Sequence, residues 1–191
     1  MNMPGATPAQ LPANVPVVET PDLILRGYRE TDFEALAAFG ASERSRFVGG
    51  PMDRWASWRA LLAGMGHWVL RGYGMWMVEH RETGAVAGRV GVIFNESWDE
   101  PELGWHIFDG FEGQGYAYQA CLAARDHAAR HMGLDGVISY IAAENARSRR
   151  LAERLGCVHE RDGTLLDQPC QVWRHPKLAE TAAETKGQAD D

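Results

Sequence analysis

Apolar positions along the chain follow two alternating rhythms, one of period two and one close to 3.6. Leu23-Ile-Leu-Arg26 is too short for a helix and reads as a first strand. From Thr31 the spacing turns helical through Phe33, Leu36 and Phe39. Thr31-Asp-Phe-Glu34 sets a hydroxyl and a carboxylate three apart, the pattern of a capping box. Asp53 is placed to cap a second helix, on which Trp55, Trp58, Leu62, Met65 and Val69 recur at helical spacing. Trp55 and Trp58 are expected to face the core. Residues 75–79 and 86–94 flank the turn Arg81-Glu-Thr-Gly84 and predict an antiparallel hairpin. A strand at 102–108 leads through a glycine-rich turn, 112–117, into a helix ending near Met132, with Gly133 to close it. A strand at 137–141, a helix at 145–155 stopped by Gly156, and strands at 157–160 and 171–175 complete the pattern. The order βααβββαβαββ is that of an α/β protein whose mixed, mostly antiparallel sheet carries helices on both faces.

Both ends lack this patterning. Residues 1–17 are rich in Pro and Ala, and 177–191 are small and polar, so both are expected to be disordered tails around one domain at 18–176. A hydrophobic content of 45% with 24% charged residues is that of an ordinary globular domain. The net charge of −7 argues against a nucleic-acid partner and suits an amine-bearing one. No apolar run approaches the ~20 residues of a membrane span, and no signal-peptide pattern opens the chain. Cys121, Cys157 and Cys170 have neither metal-ligand nor redox spacing. A cytoplasmic protein with no metal, no membrane and no nucleic-acid partner is therefore expected.

The segment richest in chemistry is strand, then Gly113-Gln-Gly115-Tyr-Ala117, then helix. A helix N-terminus carries unpaired N–H groups and a partial positive charge, and so holds a phosphate without basic side chains. Glycines let the backbone approach the anion, and a small Ala117 keeps the first turn open. The same turn also fits a tight strand-to-helix connection with no ligand. A dinucleotide fingerprint is excluded by Tyr118 at its third glycine, and a P-loop by the lack of Gly-Lys-Ser/Thr.

Leu103-Gly-Trp-His-Ile-Phe, then Gly-Gln-Gly-Tyr-Ala, then Asn145-Ala-Arg-Ser148-Arg-Arg-Leu-Ala-Glu-Arg-Leu-Gly156 resembles the GNAT N-acetyltransferases. Within them the chain is similar to the branch that acetylates ribosomal-protein N-termini, whose opening Glu19-Thr-Pro-Asp-Leu-Ile-Leu-Arg26 also resembles. The resemblance implies transfer of acetyl from acetyl-CoA to a primary amine, a protein N-terminus or a small amine, by direct attack through a tetrahedral intermediate. It implies a cofactor cradle at Gly113, Gln114, Gly115, Tyr116 and Ala117, flanked by Tyr118. It also implies strand-like pairing of the pantetheine arm at Trp105 and Ile107, and a cofactor contact from Asn145.

The family motif begins with Gln or Arg where this chain has Glu112, whose side chain is expected to point away from the pyrophosphate. Ala152 stands where many members carry a tyrosine acid. Ser148 takes that role in the ribosomal branch, and a helix-cap serine is its other reading. Glu102, at the start of the strand beside the thioester, is the first choice for general base, with its pKa raised by Glu96, Asp99 and Glu100 in the preceding loop. A solvated acidic loop is the alternative, and His106 is a further candidate base. Arg147, Arg149 and Arg150 form either a solvated helix face or, through Arg150 above all, a contact to the coenzyme A 3′-phosphate. Trp68 and Trp98 are candidates for an acceptor surface. A homodimer is compatible with the fold. The competing function is a catalytically silent acyl-CoA-binding or regulatory domain.

Overall fold

The computed structural model describes residues 15–178. The two tails expected from the sequence lie outside the described residues, apart from 15–17 and 177–178. Strands β1 (Val18–Glu19), β2 (Leu23–Arg26), β3 (Met75–His80), β4 (Val86–Ile93), β5 (Glu102–Ile107), β6 (Ile138–Ile141), β7 (Val158–Leu165) and β8 (Gln168–Arg174) form one sheet, in the order β1-β2-β3-β4-β5-β6-β8-β7. Helices α1 (Phe33–Ala41) and α2 (Arg54–Arg71) join β2 to β3, α3 (Tyr116–Met132) joins β5 to β6, and α4 (Ala146–Arg154) joins β6 to β7. The expected order holds, with the two-residue β1 added at the edge. The last hairpin is longer than its apolar residues suggested, because β7 is largely exposed and carries polar residues.

The period-two alternation of the strands sorts the core into two layers. On β3, Trp76 and Val78 join Leu25, Val90, Leu103 and Ala124 under α3, while Met77 faces Leu36, Leu61 and Phe108 under α1 and α2. Asp53 caps α2 as expected, accepting from the Ala56 N–H at 2.7 Å. Helix α2 is turned differently from its first-read stripe. Trp58 packs edge-on to Phe33 at 5.2 Å and Leu61 is buried, whereas Trp55, Leu62 and Val69 face solvent, Trp55 at 67% exposure. Two apolar stripes run along this helix, and only the one carrying Trp58, Leu61, Met65 and Trp68 meets the sheet. Trp68 is 4% exposed, stacks edge-on to Trp76 at 4.9 Å and donates to the Met75 carbonyl at 2.7 Å, so it lies in the core and not on an acceptor surface.

The capping box at Thr31 and Glu34 does not form, because a stronger interaction claims the intervening Asp32. Its buried carboxylate accepts two bonds from the Arg26 guanidinium, at 2.8 and 2.9 Å, and a third from the Arg29 N–H at 2.7 Å. Arg26 also reaches Glu79 at 2.6 Å, while Glu34 turns outward to pair with Arg54. The bidentate geometry ties the end of β2 to the start of α1 and to β3.

All strand pairings are antiparallel except β5–β6, which is parallel and reduced to one register pair, Glu102↔Ile138. Beyond it β5 stays with β4 as far as Ile107, and β6 follows β8, so the sheet opens into a V. The Ser139 hydroxyl fixes the apex by donating to the Leu103 carbonyl at 2.6 Å. That hydroxyl then accepts from His175 Nε2 at 2.9 Å, and His175 Nδ1 accepts from the Cys157 thiol at 3.2 Å. Burial pushes His175 down to about 3 and Cys157 up to about 12, so the chain of bonds is held by neutral partners.

Replacing Asp32 with Asn leaves the buried Arg26 with an incomplete set of partners, a change that costs about 3 kcal/mol when a buried pair is broken. Urea unfolding should show that loss with an unchanged denaturant slope. A loss within experimental error would mean that Glu79 alone satisfies the cation.

Candidate functional site

A groove of about 1110 Å³ lies in the opening of the V. Its strand wall includes Trp105 and Ile107, whose odd positions on β5 place them together. Its far wall is the start of α4, with Asn145, Ser148 and Arg150, and its floor is the turn into α3.

The turn is built by glycine. Gly113 and Gly115 have φ of +75° and +82°, in the left-handed region, and a Cβ on either would meet no atom within 4 Å. Gly115 is the N-cap residue of α3 and has no side chain to cap it. The N–H groups of the first helical turn are therefore left for whatever occupies the groove, which Gly113, Gly115, Tyr116, Ala117 and Tyr118 all line. Gln114, in the middle of the turn, folds back to donate to the Gly110 carbonyl at 3.0 Å and does not line the groove.

Cations ring the opening. Arg147, Arg150 and Arg154 line it from α4, with Arg154 over the Tyr118 ring at 5.0 Å. Arg149 does not line it, and its Nε is buried without a partner. Glu112 does not stand clear of the groove. It sits on the wall with its carboxylate tied to Arg44, which also contacts Asp109 and donates to the Ile107 carbonyl at 2.9 Å. Arg44 comes from the 3-10 segment Glu43–Val48 between α1 and α2, a stretch without apolar rhythm where sequence reasoning found nothing. It cancels the charge that set Glu112 apart from the expected pattern.

The side chains proposed for chemistry occupy different places. Asn145 is the N-cap of α4, its Oδ1 accepting from the Ser148 N–H at 3.2 Å. Ser148 is therefore the capped residue and not the cap, and its hydroxyl makes no hydrogen bond among the described residues. Glu102 lies at the apex of the V, outside the groove lining. It is half-buried as a residue, but its Oε2 is closed off from solvent and has no hydrogen-bond partner. Burial pushes its pKa up to about 8, and a Tyr140 backbone N–H draws it back slightly. The cause is burial, not crowding by like charges. Asp99 pairs with Arg161, and Glu100 pairs with Arg174, which holds its pKa low. The preceding loop is therefore not the open anionic mouth expected. Trp98, edge-on to Tyr140 at 5.9 Å, is the aromatic residue on this side.

His106 lines the groove between Trp105 and Ile107. Its Nδ1 accepts from Arg89 Nε at 2.7 Å, and burial followed by the Arg89 charge holds it well below the usual histidine range. A ring so placed does not act as the base. Among the described residues no cluster of His, Cys, Asp or Glu is suited to a metal. Among them, too, no helix is long and apolar enough to cross a membrane.

The fold recurs in proteins of known structure. An acetyltransferase from Agrobacterium tumefaciens is 34% identical to this chain, with a TM-score of 0.80 over 85% of this chain and 95% of the other. A GNAT-family acetyltransferase from Bacillus anthracis shares the fold at 18% identity and a TM-score of 0.70, covering 83% and 96%. So does a ribosomal alpha-N-protein acetyltransferase in complex with coenzyme A, at 17% identity and a TM-score of 0.67, covering 84% and 96%. The family model described as the acetyltransferase (GNAT) domain matches residues 22–158, a span that takes in β2 through α4 and the whole glycine turn. The chain belongs to the GNAT acetyltransferases, which are acetyl-CoA-dependent acyltransferases.

Proposed function

We propose that the groove binds acetyl-CoA along β5 and the α3 turn, and that the chain transfers its acetyl group to a primary amine entering from the α1–α2 side. The observation that carries this reading is the uncapped first turn of α3, opened by two left-handed glycines into a groove ringed by Arg44, Arg147, Arg150 and Arg154. Free N–H groups, a helix dipole and mobile cations form a site for a diphosphate and a 3′-phosphate. The backbone of Trp105 and Ile107 offers the pantetheine arm a strand edge, since β6 has already diverged. The amide of Asn145 closes the arm from the other side.

Acetyl-CoA supplies an activated carbonyl, and this chain's residues manage the protons. Glu102 receives the amine proton, directly or through water, and Ser148 protonates the departing sulfur, its hydroxyl uncommitted at the start of α4. With its pKa near 8, Glu102 is mostly protonated at neutral pH and becomes a base as pH rises. The ribosomal alpha-N-protein acetyltransferase that shares this fold makes a protein N-terminus the first acceptor to test, ahead of small amines. A cytoplasmic setting fits such an acceptor.

Calorimetric titration of acetyl-CoA tests the groove. Gly115→Val should weaken binding about tenfold or more, because the new side chain projects into open groove from a left-handed backbone. Retained affinity would mean that the turn is not the cradle. Arg44→Ala should also weaken binding, by about tenfold, by exposing the Glu112 carboxylate to the diphosphate, and Glu112→Gln in the same chain should restore it. If the second change restores nothing, Arg44 is not neutralising Glu112.

The mechanism has its own readouts. Wild-type kcat/KM should rise through a limb near pH 8, and Glu102→Gln should remove that limb. The sign for stability is opposite. Glu102 is protonated in both states at low pH. Above its ordinary value of 4.5 the unfolded chain loses that proton, while the folded chain keeps it to about 8. The cost builds over that interval and levels off above it, so Glu102→Gln should raise stability at about pH 8 but not at about pH 4. Ser148→Ala should lower kcat with little change in acetyl-CoA affinity, and an unchanged kcat would remove the hydroxyl from the reaction.

A further inference from the structure

We infer that His106 is a neutral hydrogen-bond donor to the thioester oxygen, fixed in that role by Arg89 across the β4–β5 ladder. The inference rests on the acetyl-transfer reading of the groove. Arg89 and His106 are direct partners in the antiparallel register, so their side chains share one face. Arg89 Nε donates to His106 Nδ1 at 2.7 Å. A guanidinium has only donors, so Nδ1 keeps its lone pair and the ring proton resides on Nε2. A second proton would have to enter between Nδ1 and a cation.

The surroundings leave that N–H free for a ligand. Phe39 stacks on the ring at 5.5 Å with 19° between the planes, which fixes its tilt. Among the described residues His106 Nε2 has no hydrogen-bond partner, and His106 lines the groove between the two positions that flank the pantetheine path. Arg89 makes no ion pair among the described residues. Its other titratable neighbour is the buried Tyr28 hydroxyl, so its charge stays directed at the imidazole and polarises the Nε2–H bond.

The same face places this donor opposite the proposed base. Glu102, Gly104 and His106 alternate along β5, and Glu102 Oε1 leans to within 3.8 Å of the position a Gly104 Cβ would take. Four residues of strand, roughly 13 Å of backbone, separate the two positions, and the Glu102 side chain leans along part of that span, so the amine proton reaches it through water. The amine lone pair forms the C–N bond while the carbonyl π pair moves to oxygen, where the Nε2–H hydrogen bond stabilises the developing charge. That pair returns to re-form the C=O bond, the C–S bond breaks and its electrons leave on sulfur. The amine proton passes to Glu102 in its carboxylate form, and His106 keeps its own proton throughout. A neutral imidazole suits this work, because its N–H polarises a carbonyl without giving its proton away.

Nitrogen-15 NMR of the full chain labelled at histidine, with His106→Gln to assign the signal, reads the tautomer directly. The Nε2–H form should persist between about pH 5 and 9, and Arg89→Met should free Nδ1, mix the two tautomers and raise the pKa of His106, though burial still holds it below the ordinary histidine range. His106→Phe should lower kcat about 100-fold with nearly unchanged acetyl-CoA affinity, and His106→Gln, which keeps a donor, should recover part of the loss. A proton on Nδ1, a normal titration in the wild type, or full kcat in His106→Phe would overturn the role of His106 alone. A wild-type chain that binds acetyl-CoA but releases no thiol with any amine would overturn the acetyl-transfer reading and the role of His106 with it.

Discussion

Everything at the candidate site depends on one parallel strand junction that is nearly absent. Strands β5 and β6 meet at Glu102 and Ile138 and then part, because each is committed elsewhere: β5 to β4 along its whole length, β6 to β8. A parted pair of strands leaves unpaired N–H and C=O groups facing each other across a gap, and a buried gap of that kind is costly unless a ligand fills it. The Ser139–His175–Cys157 chain stops the gap from closing or sliding, by holding Ser139 to the Leu103 carbonyl at the apex. The glycine turn then delivers the start of α3 to the open end. Apex, walls and floor follow from where the pairing stops.

The electrostatics of the groove follow the same economy. The chain as a whole is acidic, with a net charge of −7, yet the opening is ringed by arginines. Of the acids on its wall, Glu43 and Glu144 make no ion pair among the described residues, while the one beside the glycine turn is engaged. Glu112 is tied to Arg44, and on the other side of the sheet Asp99 and Glu100 are held by Arg161 and Arg174. Net charge therefore says little about this groove. What a ligand meets is a set of helix N–H groups with cations on flexible stems, a stronger local field than the global balance suggests.

Much of this was legible in the sequence, and the limits have physical causes. Strands and helices announced themselves through period, caps and glycines. The walls of the groove were found because backbone-mediated sites leave their mark in residues such as Gly113, Gly115 and Asn145. The phase of α2 was misread because Trp55, Leu62 and Val69 form a stripe as regular as that of Trp58, Leu61, Met65 and Trp68, and only the tertiary fold chooses between them. The capping box at Thr31 gave way to Arg26, a competitor far outside the local window. Arg44 and Arg89 were invisible for the same reason, since each acts on a partner brought near by pairing or by a long crossover. Local chemistry is written locally, and long-range charge pairs are not.

Glu102 and His106 show how one strand prepares two groups for opposite tasks. Both lie on the same face of β5, and both are held neutral near pH 7, for different reasons. Glu102 has lost water and gained no cation, so its proton is retained up to about 8. His106 has lost water and gained a cation at Nδ1, so it cannot take a second proton. His106 therefore stays neutral throughout, whereas Glu102 must first give up its proton to serve as base. Only the ionised fraction of Glu102, which grows as pH approaches 8, takes the amine proton, while Nε2–H meets the developing oxyanion. The useful property lies less in the residue types than in Arg89 standing beside one of them and no cation standing beside the other.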